Sequence, residues 1–172
     1  MIEPGLPEAS VYIVGPTESV LTKRGNRHPS LALYLVEHGK DVKYLSANFC
    51  HATKTIFSRS EIASARQAVP YSLRIFRTLG YSKNISARRV LNNSLFSLRV
   101  FFWLLPRIKR HDTLILPSRP VELIFFAGLL RRIKKCSVIL DIQDVWPDAL
   151  QIASQRKKRL FETYCNAYLR PS

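Results

Sequence analysis

Residues 113–142, TLILPSRPVELIFFAGLLRRIKKCSVILDI, decide the fold class of this chain. The apolar run at 113–117 is typical of a buried strand, and so is SVILDI at 137–142. Between them, residues 120–134 have the length and composition of a helix with a proline near its first turn. A strand, a helix and a second strand in this order predict a βαβ unit, in which the two strands are parallel.

The same order of elements is predicted near the N-terminus. SVYIVG at 10–15 is a short β-branched and aromatic run that ends in Gly-Pro, as a strand entering a loop does. A helix is predicted at 27–38, followed by Gly39 at the position of a left-handed C-cap, and a strand is predicted at 41–46. We therefore expect an α/β fold: a Rossmann-like open, mostly parallel sheet with helices on both faces.

The pattern is less even in the rest of the chain. A long helix is predicted at 86–109, because its apolar residues recur at intervals of three and four, with Ser86 as its N-cap. A further helix-like stretch occurs at 155–169. Residues 48–81 show no such pattern, and we predict no structure for them.

The charge is strongly unbalanced and unevenly placed. The 172 residues include 27 Lys and Arg against 12 Asp and Glu, a net charge of +15. Residues 51–110 hold twelve basic side chains and a single acidic one, Glu61, and residues 151–172 hold five and one. Such an excess favours an anionic partner, because it raises the local concentration of phosphates. Ordinary solvated helix faces are the alternative explanation.

Several classes of protein are disfavoured by the sequence. The three cysteines have no CxxC spacing, so we predict neither a disulfide framework nor a zinc site and expect no metal. No run approaches the roughly 20 apolar residues of a membrane span and no secretory signal is seen, so we expect a cytoplasmic protein. GxGxxG, GxxxxGK[ST] and Gly-x-Ser-x-Gly are all missing from the sequence, which disfavours a dinucleotide fingerprint, a P-loop and a hydrolase triad.

The loops at 15–26, 117–120 and 142–147 are candidate binding loops, because ligands of open parallel sheets bind at the carboxyl ends of the strands. The loop after 137–142 concentrates carboxylates, an amide and an indole, and it is the strongest local indication of a site. The alternative is that Asp144 caps a helix and Trp146 lies in the core. No catalytic residue is assigned. The candidate cleft-lining residues are Gly15, Thr17, Arg27, His28, Ser118, Arg119, Asp141, Gln143, Asp144 and Trp146.

The predicted helix at 86–109 combines aromatic and basic side chains, as helices at a membrane surface do. About half of its apolar residues are needed to cover the sheet, which leaves Phe101 and Trp103 as outward candidates. Each basic residue near an anionic leaflet contributes about 1 kcal/mol to binding. We therefore expect a peripheral protein on the inner membrane face. Its candidate membrane-contact residues are Arg88, Arg89, Arg99, Phe101, Trp103 and Arg107.

Several of these segments together resemble the N-terminal domain of glycosyltransferase family 4 enzymes of the GT-B architecture, in particular the branch that builds bacterial polysaccharides. They are the strand at 10–15, the helix SLFSLRVFFWLLPRIKR and, above all, the motif DxxDxWP at 141–147. The chain departs from the family at Gln143, where relatives often carry His or Arg, and in the first loop, where the family's glycine pair is missing.

The resemblance implies that residues 1–172 are the acceptor-side half of a glycosyltransferase, with the C-terminal donor domain absent. Such an enzyme moves a sugar from a nucleotide-sugar donor to a lipid-linked saccharide acceptor in polysaccharide synthesis. The nucleotide sugar would bind mainly in the missing domain, supplied in cis or as a separate subunit. We therefore expect no cofactor in this chain and no activity of the chain alone.

Two other functions remain open on the sequence. The first is a basic nucleic-acid-binding module, since a charge of +15 would neutralise several phosphates. However, no helix-turn-helix, zinc finger or RNP-type motif occurs, and we do not expect a nucleic-acid partner. The second is a non-catalytic subunit that anchors a separately encoded catalytic half.

Overall fold

The computed structural model describes residues 9–22 and 25–142, together with Arg159 and Thr163. The elements of the described residues are, in chain order, β1 (Val11–Gly15), α1 (Arg27–Glu37), β2 (Val42–Ala47), β3 (Phe49–Cys50), β4 (Thr55–Ile56), α2 (Arg59–Gln67), β5 (Ser72–Phe76), α3 (Ala87–Leu104), β6 (Thr113–Pro117), α4 (Val121–Lys134) and β7 (Ser137–Asp141).

Five of these strands form one parallel sheet in the order β5-β2-β1-β6-β7. The central strand is β1, where Val11 lies between Val42 of β2 and Thr113 of β6. Strands β2 and β5 lie on one side of β1 and the later strands β6 and β7 on the other, so the order of the sheet reverses between β1 and β6. This arrangement confirms the predicted Rossmann-like α/β fold, and the crevice at such a reversal is where these sheets bind ligands.

Helices cover both faces of the sheet, because successive side chains of a strand point to opposite faces. Val14 of β1 belongs to a core that includes Leu104 of α3 and Leu123 of α4. Its neighbour Ile13 belongs to a second core, which includes Ala32 of α1 and Ala65 of α2. The result is a three-layer arrangement with α3 and α4 on one side and α1 and α2 on the other.

Most of the predicted elements occur close to their predicted bounds. Gly39 has φ +73, as a left-handed C-cap requires, and the Ser86 hydroxyl accepts the N–H of Arg89 at 3.2 Å. The predicted end of the long helix at 109 is wrong. Helix α3 ends at Leu104, because Pro106 has no N–H to donate and its ring opposes a continuing helix.

The segment for which no structure is predicted is in fact ordered into β3, β4, α2 and β5. Helix α2 begins with a capping box: the Ser58 hydroxyl accepts the N–H of Glu61 at 3.2 Å, and the Glu61 carboxylate accepts the N–H of Ser58 at 2.7 Å. The predicted helix at 155–169 lies outside the described residues, apart from Arg159 and Thr163.

Candidate functional site

The carboxyl edge of the sheet begins at Gly15, the last residue of β1. A side-chain carbon at this position would lie 2.1 Å from the Tyr44 hydroxyl and 2.6 Å from the main-chain oxygen of Glu18, so only glycine fits. The Tyr44 hydroxyl donates to that same oxygen at 2.8 Å. Burial, and after it the neighbouring Tyr71 and Glu18, raises the pKa of Tyr44, so its phenol remains a donor. These contacts fold the loop after β1 tightly over the sheet.

His28 is the centre of a group of charged residues at this edge. It lies in the first turn of α1 and is 2% exposed. Its Nε2 is 3.1 Å from Asp141 Oδ2, and its Nδ1 is 3.4 Å from Glu18 Oε2, although neither ring nitrogen has hydrogen-bond geometry. Arg27 reaches Asp141 Oδ1 at 2.7 Å. The structure thus brings the predicted residues Arg27, His28 and Asp141 together where β1, α1 and β7 meet.

Glu18 completes this group and is missed by the sequence analysis. The main-chain N–H of His28 donates to Glu18 Oε2 at 3.4 Å. Gly25, with φ +68, passes so close that a side-chain carbon there would lie 2.9 Å from Glu18 Oε1. In the sequence, Glu18 is visible only as a carboxylate in the loop 15–26. Its contact with His28 is not, because the chain folds back onto Glu18 through the turn at Gly25.

The remaining predicted cleft residues lie in the loop after β1, at the end of β6 or outside the described residues. Thr17 is exposed in the loop after β1. Ser118 donates its main-chain N–H to the main-chain oxygen of Asp141 at 3.0 Å, and Arg119 follows it at the end of β6. Gln143, Asp144 and Trp146 lie outside the described residues. That these residues bind a ligand stays a prediction.

The outward face of α3 differs from its prediction at the aromatic positions. Phe101 is only 7% exposed and packs on Phe126, whereas its neighbour Phe102 is 64% exposed. Trp103 is partly buried against Tyr12 and Phe76. The expectation that Phe101 and Trp103 point outward is therefore wrong. The helix face that packs on the sheet includes Phe101, and the outward position is taken by the next residue, Phe102.

Three exposed apolar side chains nevertheless lie on one side of this helix, at positions spaced by seven and four residues. We call Leu91, Leu98 and Phe102 the α3 stripe; they are 58%, 37% and 64% exposed. Arg88 and Arg99 each lie three residues before a member of the stripe, which places them beside it on the helix surface. Helix α3 contains three arginines and no acidic residue.

The arginines of this region are bound to main-chain oxygens. Arg88 Nε donates to the oxygen of Gly80 at 3.0 Å, and Arg99 donates to that of Arg77. Arg107 donates to the oxygen of Trp103 at 2.9 Å, with its guanidinium 4.6 Å from the Trp103 ring centre. These contacts fix the side chains and leave their positive charge in place.

Two further kinds of feature are absent from the described residues. In this part of the chain, no helix has the length and hydropathy needed to cross a membrane. Likewise, the described His, Cys, Asp and Glu side chains include no group of three arranged to hold a metal ion.

Comparison with known proteins assigns no family to the chain. No protein-family model and no curated protein matches it. Among solved structures, it is similar to pantoate-beta-alanine ligase from Francisella tularensis, solved in complex with beta-gamma ATP and beta-alanine. The identity is 14% and the TM-score 0.43, over 96% of this chain and 72% of the ligase chain. At these values, we transfer no activity from the ligase to this chain.

These comparisons correct the predicted family and activity. The solved structure named above is a ligase and not a glycosyltransferase, and no protein-family model or curated protein supplies a glycosyltransferase match. The matching strands and helices are elements that Rossmann-like folds of many activities share, so they indicate fold and not function. Membership of glycosyltransferase family 4, sugar transfer and a role in polysaccharide synthesis are therefore not retained.

Proposed function

We propose that this chain is a Rossmann-like domain that binds peripherally to anionic membrane surfaces, with the outward face of α3 as its contact. The observation that carries the proposal is the α3 stripe, three exposed apolar side chains on a helix without an acidic residue. An amphipathic helix with basic flanks is the usual means by which a protein without a membrane span lies in the membrane interface.

The expected energies suit reversible binding. Moving a large apolar side chain such as Phe102 from water into the interface contributes up to about 1.5–3 kcal/mol. Each basic side chain near an anionic leaflet, such as Arg88 or Arg99, adds about 1 kcal/mol, and salt weakens this part. The contact therefore combines an apolar contribution that is insensitive to salt with a charge contribution that falls as salt rises.

Co-sedimentation with lipid vesicles tests the proposal. We expect the protein to bind vesicles of phosphatidylglycerol and phosphatidylcholine, to prefer them over pure phosphatidylcholine, and to dissociate as salt is raised. The double variant Leu98→Ser, Phe102→Ser should bind about tenfold or more weakly, since it removes most of the exposed apolar contact. The matched control is Leu33→Ser in α1. Leu33 and Leu98 are similarly exposed, at 40% and 37%, but Leu33 lies on the opposite side of the sheet.

Two outcomes contradict this proposal. The first is equal binding to neutral and anionic vesicles. The second is an equal loss of binding in the Leu33→Ser control and in the α3 variant. A parallel titration with duplex DNA addresses the nucleic-acid alternative, which predicts tight, salt-dependent binding that the α3 variant leaves unchanged.

A further inference from the structure

A second basic site lies where the turn between β3 and β4 and the loop after β5 meet the first turn of α3. It consists of His51, Lys54, Tyr81 and Arg89, which we call the His51 cluster. The Tyr81 hydroxyl is 2.6 Å from His51 Nδ1, and Lys54 Nζ is 3.2 Å from the same nitrogen. Lys54 Nζ and the Arg89 guanidinium lie 5.0 Å and 5.6 Å from the centre of the Tyr81 ring. Two cations are thus held against one aromatic ring.

The surrounding chain fixes these side chains in place. Asn84 connects the two cations: its side-chain oxygen accepts from Lys54 Nζ at 2.6 Å, and its main-chain oxygen accepts from Arg89 at 2.6 Å. Tyr81 is buried and its ring centre is 4.8 Å from that of Phe49. Lys54 has φ +61, a left-handed conformation that is costly for a lysine and that concentrates at functional sites.

The hydrogen bonds of the cluster indicate the tautomer of His51 and the number of Lys54 donors already in use. A lysine ammonium can only donate, so His51 Nδ1 must accept, and the proton of a neutral imidazole then sits on Nε2. Burial, followed by the charges of Lys54, Arg89 and Arg119, lowers the pKa of His51 below its usual 6.5, so the ring is neutral at pH 7. The contacts of the described residues use two of the three Lys54 donors, on His51 and Asn84, and leave one for a ligand.

The charges around this site are of one sign. Burial, and after it the charge of Arg89, lowers the pKa of Lys54, as expected for cations held close together. Among the described groups that shift the pKa of His51 or Lys54, all but the Cys50 thiol are cations, and none is a carboxylate. Holding like charges together costs free energy, which a bound anion would recover.

We propose that the His51 cluster binds a phosphate group, carried either by a phosphorylated small molecule or by a lipid headgroup. Lys54 and Arg89 would supply two positive charges and His51 Nε2 a neutral N–H donor, with Tyr81 positioning the imidazole from behind. A phosphate monoester suits this set of donors, because it carries a charge of about −1.5 to −2 and three acceptor oxygens. The cluster also stands at the carboxyl edge of the parallel sheet, after β2 and β5.

Titration with inorganic pyrophosphate, by calorimetry and by the NMR signals of the His51 ring, tests the proposal. We expect saturable binding at pH 7 and a rise in the pKa of His51 on binding, because the anion offsets the neighbouring cations. Lys54→Gln and Arg89→Gln should each weaken binding about tenfold, the usual effect of losing one charged hydrogen bond. Arg66→Gln, which removes one exposed charge from the last turn of α2, is the matched control and should bind as the unchanged protein does.

Vesicles containing phosphatidic acid, whose headgroup is a phosphate monoester, distinguish the two sources. They are tested on the Leu98→Ser, Phe102→Ser background, where the stripe contributes little. If the protein binds these vesicles, and Lys54→Gln weakens the binding and pyrophosphate competes with it, the phosphate is that of a lipid headgroup. If the protein binds pyrophosphate but not these vesicles, the phosphate is that of a soluble ligand.

The absence of both kinds of binding overturns the proposal, and so does a loss of pyrophosphate binding in Arg66→Gln equal to that in Lys54→Gln. Folding of each variant is checked by circular dichroism. Lys54→Arg and Arg89→Lys, which keep the charge, should retain most of the affinity, so that loss of charge is separated from loss of fold.

Discussion

At the scale of single residues, Gly15 is the position most tightly constrained by the packing of the sheet edge. We expect Gly15→Ala to lower the free energy of unfolding by about 1–3 kcal/mol, the usual cost of forcing an extra carbon into a packed site. Neither obstacle can give way easily, because the Tyr44 ring, whose hydroxyl would lie at 2.1 Å, is fully buried and the Glu18 oxygen at 2.6 Å belongs to the main chain. Urea denaturation measures the change.

Gly128 offers the matched control for this prediction. A side-chain carbon there meets nothing within 4 Å, and the residue lies inside α4. Gly128→Ala should therefore raise the stability by about 0.5–1 kcal/mol, because alanine favours the helix. If Gly15→Ala were as stable as the unchanged protein, the prediction would be wrong, and the loop after β1 would have to make room for the added carbon without cost.

The residues that the sequence places correctly are those at the ends of predicted elements. Arg27 and His28 begin a helix and Asp141 ends a strand, so the topology alone brings them to one edge. Glu18 and the His51 cluster escape prediction for a common reason. Their neighbours come from loops whose paths depend on a turn at Gly25 and on the left-handed residue Lys54, neither of which shows in apolar periodicity.

At the scale of elements, α3 depends on its N-cap, Ser86. We expect Ser86→Ala to cost about 1 kcal/mol of stability, because it removes the hydroxyl that accepts the main-chain N–H of Arg89 at 3.2 Å and leaves that N–H only the main-chain oxygen of Ser86 at 3.0 Å. Ser86→Asp should restore most of that loss, since aspartate is an equally good cap and its charge suits a helix N-terminus. The measurement is thermal unfolding of both variants and of the unchanged protein. A melting temperature of Ser86→Ala equal to that of the unchanged protein would contradict the role of this cap.

The same elements show which patterns in the sequence were informative. Strands such as β6 are predicted well because an apolar run between turn residues has few alternatives. Helix α2 is missed because it is mostly polar, although Ser58 and Glu61 form a capping-box pattern that predicts a helix start. The error at the end of α3 comes from giving apolar periodicity more weight than Pro106, and a proline overrides periodicity because its effect is steric.

At the scale of the whole molecule, the net charge of +15 should make stability depend on salt. The ion pairs found among the described residues join Arg27 to Asp141 and Lys43 to Asp41, and none involves the basic segment 51–110. Repulsion within that segment should therefore outweigh the attraction of the pairs. Raising NaCl from about 0.01 M to about 0.15 M shortens the screening length from about 30 Å to about 8 Å.

We accordingly expect the melting temperature to rise over this range by about 2–4 °C, which corresponds to about 1 kcal/mol for a chain of this size. Arg88→Gln, Arg99→Gln removes part of the repulsion and should reduce the rise. Sodium phosphate at matched ionic strength should add a further increase that Lys54→Gln abolishes, because a ligand that binds only the folded state stabilises it. A fall in melting temperature with NaCl would instead mean that the ion pairs at the carboxyl edge contribute more than the repulsion of the basic segment costs.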